Sequence, residues 1–155
     1  MTTNFDRTAK WLKSCGKEPG VEAHSSVQIG CHLEEFAEFL RTIRVNSEGG
    51  RLVIDRTVAD LDWLSGKLKS GAYVAHIPPH ERTNALDALC DGDVTGNGIC
   101  YLYKMDKRTA DQRVLDANDA KLVDGKPVLL PGGKIGNPEG WKAADLTDLI
   151  YRNLP

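Results

Sequence analysis

Three glutamates, Glu34, Glu35 and Glu38, lie close together in an otherwise apolar stretch of the chain, His32 to Leu40. On a helix, Glu35 and Glu38 fall about 60° apart on one face, and Glu34 lies beside Glu38. Like charges at this spacing destabilise an isolated helix by about 0.2–0.5 kcal/mol per pair. The cluster is therefore either a solvated face on which Arg41 pairs with Glu34 and Glu38, or a site for a divalent cation.

A second set of polar side chains occurs later in the chain. Asn84, Asp87 and Asp91 are spaced three and four apart, so on a helix they fall inside an arc of about 60°. The predicted helix begins near Glu81, and its apolar residues spread around the whole cylinder, which indicates burial on several sides. A carboxylate in a buried helix must be paired, hydrogen-bonded or bound to a metal. The two aspartates therefore face water or an arginine such as Arg82, or they share a metal site.

The two acidic sets together predict a magnesium site. Glu35 and Glu38 on one helix, with Asp87 and Asp91 on the other, supply four oxygen ligands if these faces meet. Hard oxygen donors suit Mg²⁺, with Mn²⁺ as a substitute, and do not suit zinc. Mg²⁺ usually takes further ligands from water and substrate phosphates, which indicates cleavage of a phosphoanhydride by water. Glu34 is the candidate to orient that water or to accept its proton.

Other phosphate and metal motifs are excluded by their spacing. The run Asp91-Gly-Asp-Val-Thr-Gly resembles the start of an EF-hand loop, but Leu102 occupies the twelfth position, where a bidentate glutamate is required. No Gly-x-x-x-x-Gly-Lys-Ser/Thr sequence occurs, so the chain contains no P-loop. The four cysteines and four histidines do not have zinc-ligand spacing.

The composition narrows the classes of partner. The chain has 155 residues with 20 basic and 22 acidic side chains, and its net charge is -2. This balance provides neither a basic surface for nucleic acid nor a polybasic patch for a membrane, so we expect small-molecule ligands or self-association. No apolar stretch approaches the ~20 residues that span a bilayer, and the N-terminus lacks the pattern of a signal peptide. We therefore expect a cytoplasmic protein.

The hydrophobic periodicity predicts mainly helices. The first helix covers Phe5 to Leu12. The second begins at a cap on Ser25 or Ser26 and runs to about Val45, with a buried stripe formed by Ile29, Leu33, Phe36, Leu40 and Ile43. A third covers Val53 to Leu68 and is closed by Gly71.

The remaining segments complete a helical fold. The fourth helix runs from about Glu81 to Lys104, and the fifth covers Thr109 to Lys121. Asp124-Gly125 and the prolines and glycines that follow predict an irregular hairpin, and a final short helix is expected from Ala143 to Asn153. The sequence contains no internal repeat or linker. We therefore expect an all-α bundle of five to six helices in one domain, residues 1–155.

These motifs resemble those of the MazG-type all-α nucleoside triphosphate pyrophosphohydrolases. The family motif Glu-Glu-x-x-Glu is matched by Glu34-Glu35-Phe36-Ala37-Glu38. The second motif, Glu-x-x-Asp, is matched in part. Alignment on Asp91 places Ala88 at the glutamate position, whereas alignment on Asp87 places Asn84 there.

The C-terminal third also resembles phage and bacterial members of this family. Asn118-Asp-Ala-Lys121 precedes the turn Asp124-Gly-Lys-Pro127, and Gly133-Lys134 and Asp145-Leu146 follow. The resemblance therefore covers roughly residues 5 to 150. It implies that Asn118 and Lys121 bind the nucleotide, Lys121 as a charge on phosphate and Asn118 through hydrogen bonds.

The resemblance implies a function and an assembly. Such enzymes use Mg²⁺ to hydrolyse a nucleoside triphosphate, often a deoxynucleotide, between its α and β phosphates, which yields the monophosphate and pyrophosphate. They form helical dimers or dimers of dimers. The alternatives are a phosphoribosyl-ATP or dUTP-specific pyrophosphohydrolase of the same fold, and a helical dimer that binds nucleotide without hydrolysing it.

Overall fold

The computed structural model describes residues 3–129 and 135–150 and is mostly helical, as predicted. The chain divides into two compact units. One contains residues 18–78, and the other contains residues 1–17 together with residues 79–155. Over the described residues, no helix combines the length and the apolar character needed to cross a membrane.

Five helices and one short hairpin account for the regular structure of the described residues. The helices are α1 (Asn4–Ser14), α2 (Glu22–Thr42), α3 (Glu48–Lys69), α4 (Arg82–Leu102) and α5 (Lys107–Asp119). The hairpin consists of β1 (Leu122–Val123) and β2 (Lys126–Pro127), and single 3-10 turns cover Pro79–Glu81 and Thr147–Leu149.

Polar side chains fix the beginnings of three helices. The Thr3 hydroxyl accepts a hydrogen bond from the Asp6 amide, and the Asp6 carboxylate accepts one from the Thr3 amide, which is a capping box at α1. Ser47 caps α3 by accepting from the Gly50 amide, and Asp106 caps α5 by accepting from the Thr109 amide. Hydrogen bonds from Thr3 lower the pKa of Asp6, and those from the hydroxyl and then the amide of Thr109 lower the pKa of Asp106, because they stabilise the ionised carboxylate.

The helix that carries the three glutamates begins earlier than predicted. Val21 precedes its first turn and provides no side-chain cap, so the prediction of a cap at Ser25 or Ser26 is wrong. Ser26 is instead buried inside α2, where its hydroxyl accepts a hydrogen bond of 3.0 Å from the Ala75 amide. A tertiary contact with the segment after α3 therefore explains this serine.

Helices α2 and α3 form the hairpin of the unit covering residues 18–78, and they meet through small residues. The buried positions of α2 are Ser26, Gly30 and Ala37. A Cβ atom added to Gly30 would lie 3.1 Å from Leu68 Cβ and 3.2 Å from the carbonyl oxygen of Ser65. Such close packing requires a residue without a side chain.

The predicted buried stripe of α2 is wrong in its centre. Phe36 is 50% exposed, and Leu33 and Leu40 are only half-buried. The small residues on the neighbouring positions face α3 because they allow the two backbones to approach. The large aromatic side chain is therefore left on the outer face.

The predicted burial of α4 is also wrong. No residue of α4 is buried in the described structure, and Leu86 is 64%, Tyr101 81% and Leu102 76% exposed. Within its unit, the principal neighbour of α4 is the 3-10 turn at its own beginning. The apolar residues around this helix reflect a surface that the chain leaves largely uncovered.

In the second unit, α1 packs against α5 through a polar network. Arg7 Nη2 donates hydrogen bonds to Asp116 Oδ1 at 2.8 Å and to Asp119 Oδ2 at 2.6 Å, and Arg7 Nη1 donates to Gln112 at 3.2 Å. The two carboxylates raise the pKa of Arg7, Asp119 most strongly. This network joins the first helix to a segment more than 100 residues later.

The predicted hairpin is confirmed around Asp124-Gly125, and residues 130–134 of the predicted segment lie outside the described residues. Leu122 pairs with Pro127, and Val123 pairs with Lys126, in an antiparallel register. The connecting residues Asp124 and Gly125 have φ of 50° and 75°, as a two-residue type I′ turn requires.

The predicted C-terminal helix, Ala143 to Asn153, is wrong over its described part. Residues 141–146 are not helical, and only Thr147–Leu149 form a 3-10 turn; residues 151–153 lie outside the described residues. Asp145 Oδ1 accepts hydrogen bonds from the amide and hydroxyl of Thr147, which fixes a local turn in place of a longer helix. Leu149 is buried, and its carbonyl accepts from the Asp106 amide at 3.1 Å.

The same substitution at two glycines tests the close approach of α2 and α3. Gly30→Ala and Gly66→Ala both replace a helical glycine, but Gly66 has no atom within 4 Å of an added Cβ. Removal of helical glycine stabilises by up to about 1 kcal/mol, whereas overpacking costs about 1–3 kcal/mol. We expect Gly30→Ala to unfold at a lower urea concentration than Gly66→Ala. Equal midpoints would contradict the close contact.

The ion pair between Arg113 and Asp148 predicts a loss of stability in acid. Arg113 donates to Asp148 at 2.5 and 2.8 Å, and this guanidinium lowers the pKa of the Asp148 carboxyl. The pair therefore stabilises the fold above the unfolded-state pKa of about 3.9, and this contribution is lost as the pH falls through the lower folded-state value.

We expect Asp148→Asn to lower the urea midpoint at neutral pH and to approach the wild type below about pH 3. Exposed Glu139, in the same unit, provides the control variant Glu139→Gln. If the urea midpoint of Asp148→Asn stays below that of the wild type by the same amount in acid, the charge of the pair is not the cause of the difference.

Candidate functional site

The acidic face of α2 is partly held by the neighbouring helix. Lys69 Nζ, at the end of α3, lies 2.5 Å from Glu34 Oε1. The stem of Lys69 passes over Gly30, whose added Cβ would lie 3.0 Å from Lys69 Cγ. Because Gly30 precedes Glu34 by one helical turn, the missing side chain leaves the path along which Lys69 reaches the carboxylate.

Arg41 does not serve as the partner of the acidic cluster. Its guanidinium pairs with Asp62 of α3, so the predicted pairs of Arg41 with Glu34 and Glu38 are wrong. The helix crossing explains this exchange, because it places different α3 side chains beside each turn of α2. Lys69 is the residue that the sequence interpretation missed.

The other two glutamates of the motif face outward. Glu35 and Glu38 are both exposed. The half-exposed rings of Phe36 and Phe39 lie beside them, with centroids 6.4 Å apart. The outer face of α2 therefore presents carboxylates next to an aromatic surface.

The second acidic set lies on the exposed surface of α4. Asp87 and Asp91 are exposed, and Asn84 Nδ2 donates a hydrogen bond of 2.9 Å to Glu81 Oε2. Asn84 is thus engaged with the turn before its own helix. The aspartates retain the three- and four-residue spacing that places them on one side of α4.

The donor chemistry of these residues suits Mg²⁺, which favours carboxylate oxygens. In residues 3–129 and 135–150, no group of three or more His, Cys, Asp or Glu side chains is arranged to hold a metal ion. Mg²⁺ is commonly held by one or two carboxylates together with substrate phosphates and water. A pair such as Glu35 and Glu38 is compatible with that kind of coordination.

The two residues associated with nucleotide by resemblance lie at the end of α5. The Lys121 amide donates to the Asn118 carbonyl at 3.0 Å, so one tight turn joins them. Trp11 Nε1 donates to the same carbonyl at 2.8 Å, and Trp141 Nε1 donates to the Ala117 carbonyl at 2.7 Å. Two indoles therefore add hydrogen bonds to successive carbonyl groups in the last turn of α5, where intrahelical donors run out.

The side chain of Lys121 lies over an aromatic ring. Its Nζ is 4.8 Å from the centroid of the Trp141 ring. Both side chains are half-buried, and Asn118 is half-buried beside them. Nearby Cys15 is buried, and burial raises the pKa of its thiol, an effect that the charges of Lys17 and Lys121 partly oppose. The lysine thus has a defined environment instead of a free surface position.

A separate cavity of about 390 Å³ opens beside the loop that joins α2 and α3. Aliphatic side chains form much of its wall, and Arg41, Arg44 and Arg51 also line it. Arg41 is bound to Asp62, and Arg44 donates to the carbonyls of Arg41 and Ile43. Two of the three arginines at this cavity therefore make hydrogen bonds within the hairpin, and the charge of Arg41 is paired with Asp62.

Comparison with known protein families, curated proteins and solved structures found no match for this chain. The structure brings together Asn118 and Lys121 in one turn, and the three glutamates on one helix. The sequence interpretation missed Lys69 and Trp141. A basic residue near a helix end and a tryptophan after the turn at Gly140 were visible, but their partners were not.

Proposed function

We propose that this protein is a Mg²⁺-dependent nucleoside triphosphate pyrophosphohydrolase of the cytoplasm, which cleaves between the α and β phosphates. The observation that carries the proposal is the acidic face of α2. Glu35 and Glu38 are exposed there, and Glu34 pairs with Lys69 at the end of α3. One helix thereby presents three carboxylates, one of which is paired with an ammonium.

The proposed division of labour starts from the α2 residues. Glu35 and Glu38 would hold the cation, with Mn²⁺ as a substitute, and Asp87 and Asp91 stay ligands that the sequence alone predicts. When bound, Mg²⁺ neutralises charge on the polyphosphate. Glu34 orients the attacking water or accepts its proton, because the Lys69 ammonium restrains its carboxylate.

The end of α5 is the proposed place of substrate recognition. Lys121 contributes a positive charge to phosphate, and Asn118 contributes an amide that donates and accepts hydrogen bonds. The tight turn and the two indole hydrogen bonds support this assignment, because they fix the backbone from which both side chains extend. A preorganised site loses less conformational entropy when ligand binds.

We propose further that the protein forms a homodimer, alone or as a dimer of dimers, through α4. Large apolar side chains such as Leu86 and Leu89 are more than half exposed on this helix. Contiguous exposed apolar surface is uncommon in monomers and often marks an interface. Gly92 and Gly96 have no atom within 4 Å of an added Cβ, which leaves room for a second helix to approach.

A second candidate is a dimer that binds nucleotide without hydrolysing it. The specific observation in its favour is that the turn from Asn118 to Lys121 is ordered by indole contacts that involve none of the acidic residues. Nucleotide affinity and hydrolysis can therefore be separate properties of this chain. A dUTP-specific or phosphoribosyl-ATP enzyme differs only in the substrate that it accepts.

A panel of NTPs and dNTPs, dUTP and phosphoribosyl-ATP tests the activity. We expect Mg²⁺-dependent release of pyrophosphate from at least one substrate. Glu38→Gln removes a proposed ligand and should lower kcat at least about 100-fold, since metal clamps of this kind supply several kcal/mol of transition-state stabilisation. Exposed Glu48 in the first turn of α3 provides the control Glu48→Gln.

Three outcomes separate the candidates. Full activity in Glu38→Gln would contradict the proposed metal site. Release of orthophosphate alone would contradict the proposed bond cleavage. Thermal stabilisation by a nucleotide without turnover at any Mg²⁺ concentration would favour the non-hydrolytic alternative.

Two substitutions that each introduce a glutamate on α4 test the proposed dimer. Leu89 shares one side of the helix with Gly92 and Gly96, whereas Val94 lies on another side. We expect the wild type to sediment as a dimer or larger, Leu89→Glu to shift towards monomer, and Val94→Glu to remain associated. A monomeric wild type at about 100 times the assay concentration would contradict dimerisation through this surface.

A further inference from the structure

Trp141 contacts the proposed phosphate-binding segment in two different ways. Its indole Nε1 donates to the Ala117 carbonyl in the last turn of α5, at 2.7 Å. The face of its ring lies 4.8 Å from Lys121 Nζ. One side chain therefore holds both the backbone before the turn and the charged group after it.

The ring face specifies the position of the Lys121 ammonium. A lysine ammonium within about 6 Å of an indole centroid is attracted to the negative face of the ring. None of the ion pairs among the described residues includes Lys121. The indole thus positions the ammonium without neutralising its charge, as a carboxylate would.

Trp11 makes the first type of contact without the second. Its Nε1 donates to the Asn118 carbonyl at 2.8 Å, which is the carbonyl next to the one that Trp141 contacts. Within the described residues, Trp141 is the aromatic side chain over which Lys121 lies. The two tryptophans therefore allow the structural role of an indole hydrogen bond to be separated from the positioning of the lysine.

We infer that Trp141 is a positioning residue for the triphosphate, acting through Lys121. The inference rests on the proposed function, in which Lys121 contacts substrate phosphate. Trp141 keeps the flexible lysine side chain near one place, so less side-chain freedom is lost when phosphate binds. The ammonium is left without an ion-pair partner among the described residues, and such a point charge attracts an anion such as the substrate phosphate.

Four variants at three positions test this inference on the full-length protein. Trp141→Phe retains a ring face but loses the indole N–H, and Trp141→Leu loses both. Trp11→Phe loses an equivalent N–H, and Lys121→Met removes the charge. KM and kcat are measured with the best nucleotide of the panel, and Kd is measured by calorimetry with its non-hydrolysable α,β-imido analogue.

The expected results follow from the two contacts. Trp11→Phe and Trp141→Phe each lose one hydrogen bond to the end of α5, so they should lower Tm by similar amounts and raise KM by similar amounts, less than Trp141→Leu does. Trp141→Leu should raise KM and Kd about fivefold, as loss of a cation–π contact implies, with kcat changed less than about twofold. In the Lys121→Met background, Trp141→Leu should raise neither constant further, because its effect requires the ammonium.

The same measurements show which proposal fails. An unchanged Kd in Trp141→Leu would overturn the role of Trp141. So would a rise in Kd on Trp141→Leu that is equal in the wild-type and the Lys121→Met backgrounds. A Lys121→Met variant that turns over nucleotide as the wild type does would also overturn the role of Trp141, but it would not contradict the proposed pyrophosphohydrolysis. If the wild type binds nucleotide but does not hydrolyse it, and Trp141→Leu weakens that binding as expected, the role of Trp141 is supported and the proposed hydrolysis is contradicted.

Circular dichroism controls for folding. Where Trp141→Leu does not retain the wild-type helical signal, Trp141→Met replaces it and tests the same loss of ring face. The fluorescence of Trp141 in a Trp11→Phe, Trp63→Phe background gives an independent signal. It should change when the imido analogue binds, because a phosphate anion then lies beside the ammonium that the ring holds, and an unchanged emission at saturation would contradict the inference.

Discussion

The close approach of α2 and α3 at Gly30 determines how the acidic motif is presented. A residue with a side chain at this position would meet Lys69, Leu68 and the backbone of Ser65. Because glycine stands there, Lys69 passes over α2 and reaches Glu34 one turn later. The motif is thereby divided into one carboxylate that is restrained and two that are exposed.

That division gives a physical basis for different roles within one short motif. Three adjacent carboxylates repel one another, and a single ammonium relieves part of this repulsion at Glu34. The exposed members keep the geometry of one helix face, which suits shared binding of a hard cation. The helix α2, with Lys69 of α3 beside it, can therefore present candidate ligands and a positioned carboxylate within one unit.

The unit containing α1 and α5 has a different organising contact. Two indoles, from positions 11 and 141, donate to successive carbonyls at the end of α5. The Arg7 network fixes the other side of that helix against α1. The turn that carries Asn118 and Lys121 is consequently held by residues from both ends of the chain.

Local sequence signals predicted the elements but not the contacts between them. Hydrophobic periodicity located the five helices, and Asp124-Gly125 identified the hairpin, because these patterns act over a few residues. The role of Ser26 depends on Ala75, which lies 49 positions later, so the serine was taken for a cap. The C-terminal helix failed for a local reason, the side-chain bonds of Asp145 to Thr147.

For the candidate site, too, the sequence predicts the positions of residues along one helix but not the contacts between helices. The spacing of Glu34, Glu35 and Glu38 was readable because one helix carries all three. The pairing of Glu34 with Lys69 was not, since it depends on where two helices cross. The apolar pattern of α4 predicts burial within the chain and is wrong, because periodicity does not show what covers an apolar face.

The most direct measurement of the central claim is the phosphorus NMR spectrum of a nucleoside triphosphate after incubation with the protein and Mg²⁺. The account predicts that the three resonances of the triphosphate are replaced by those of the monophosphate and pyrophosphate, and that chelation of the metal prevents the change. Resonances of a nucleoside diphosphate and orthophosphate would contradict it, as would a triphosphate spectrum that stays unchanged with every substrate.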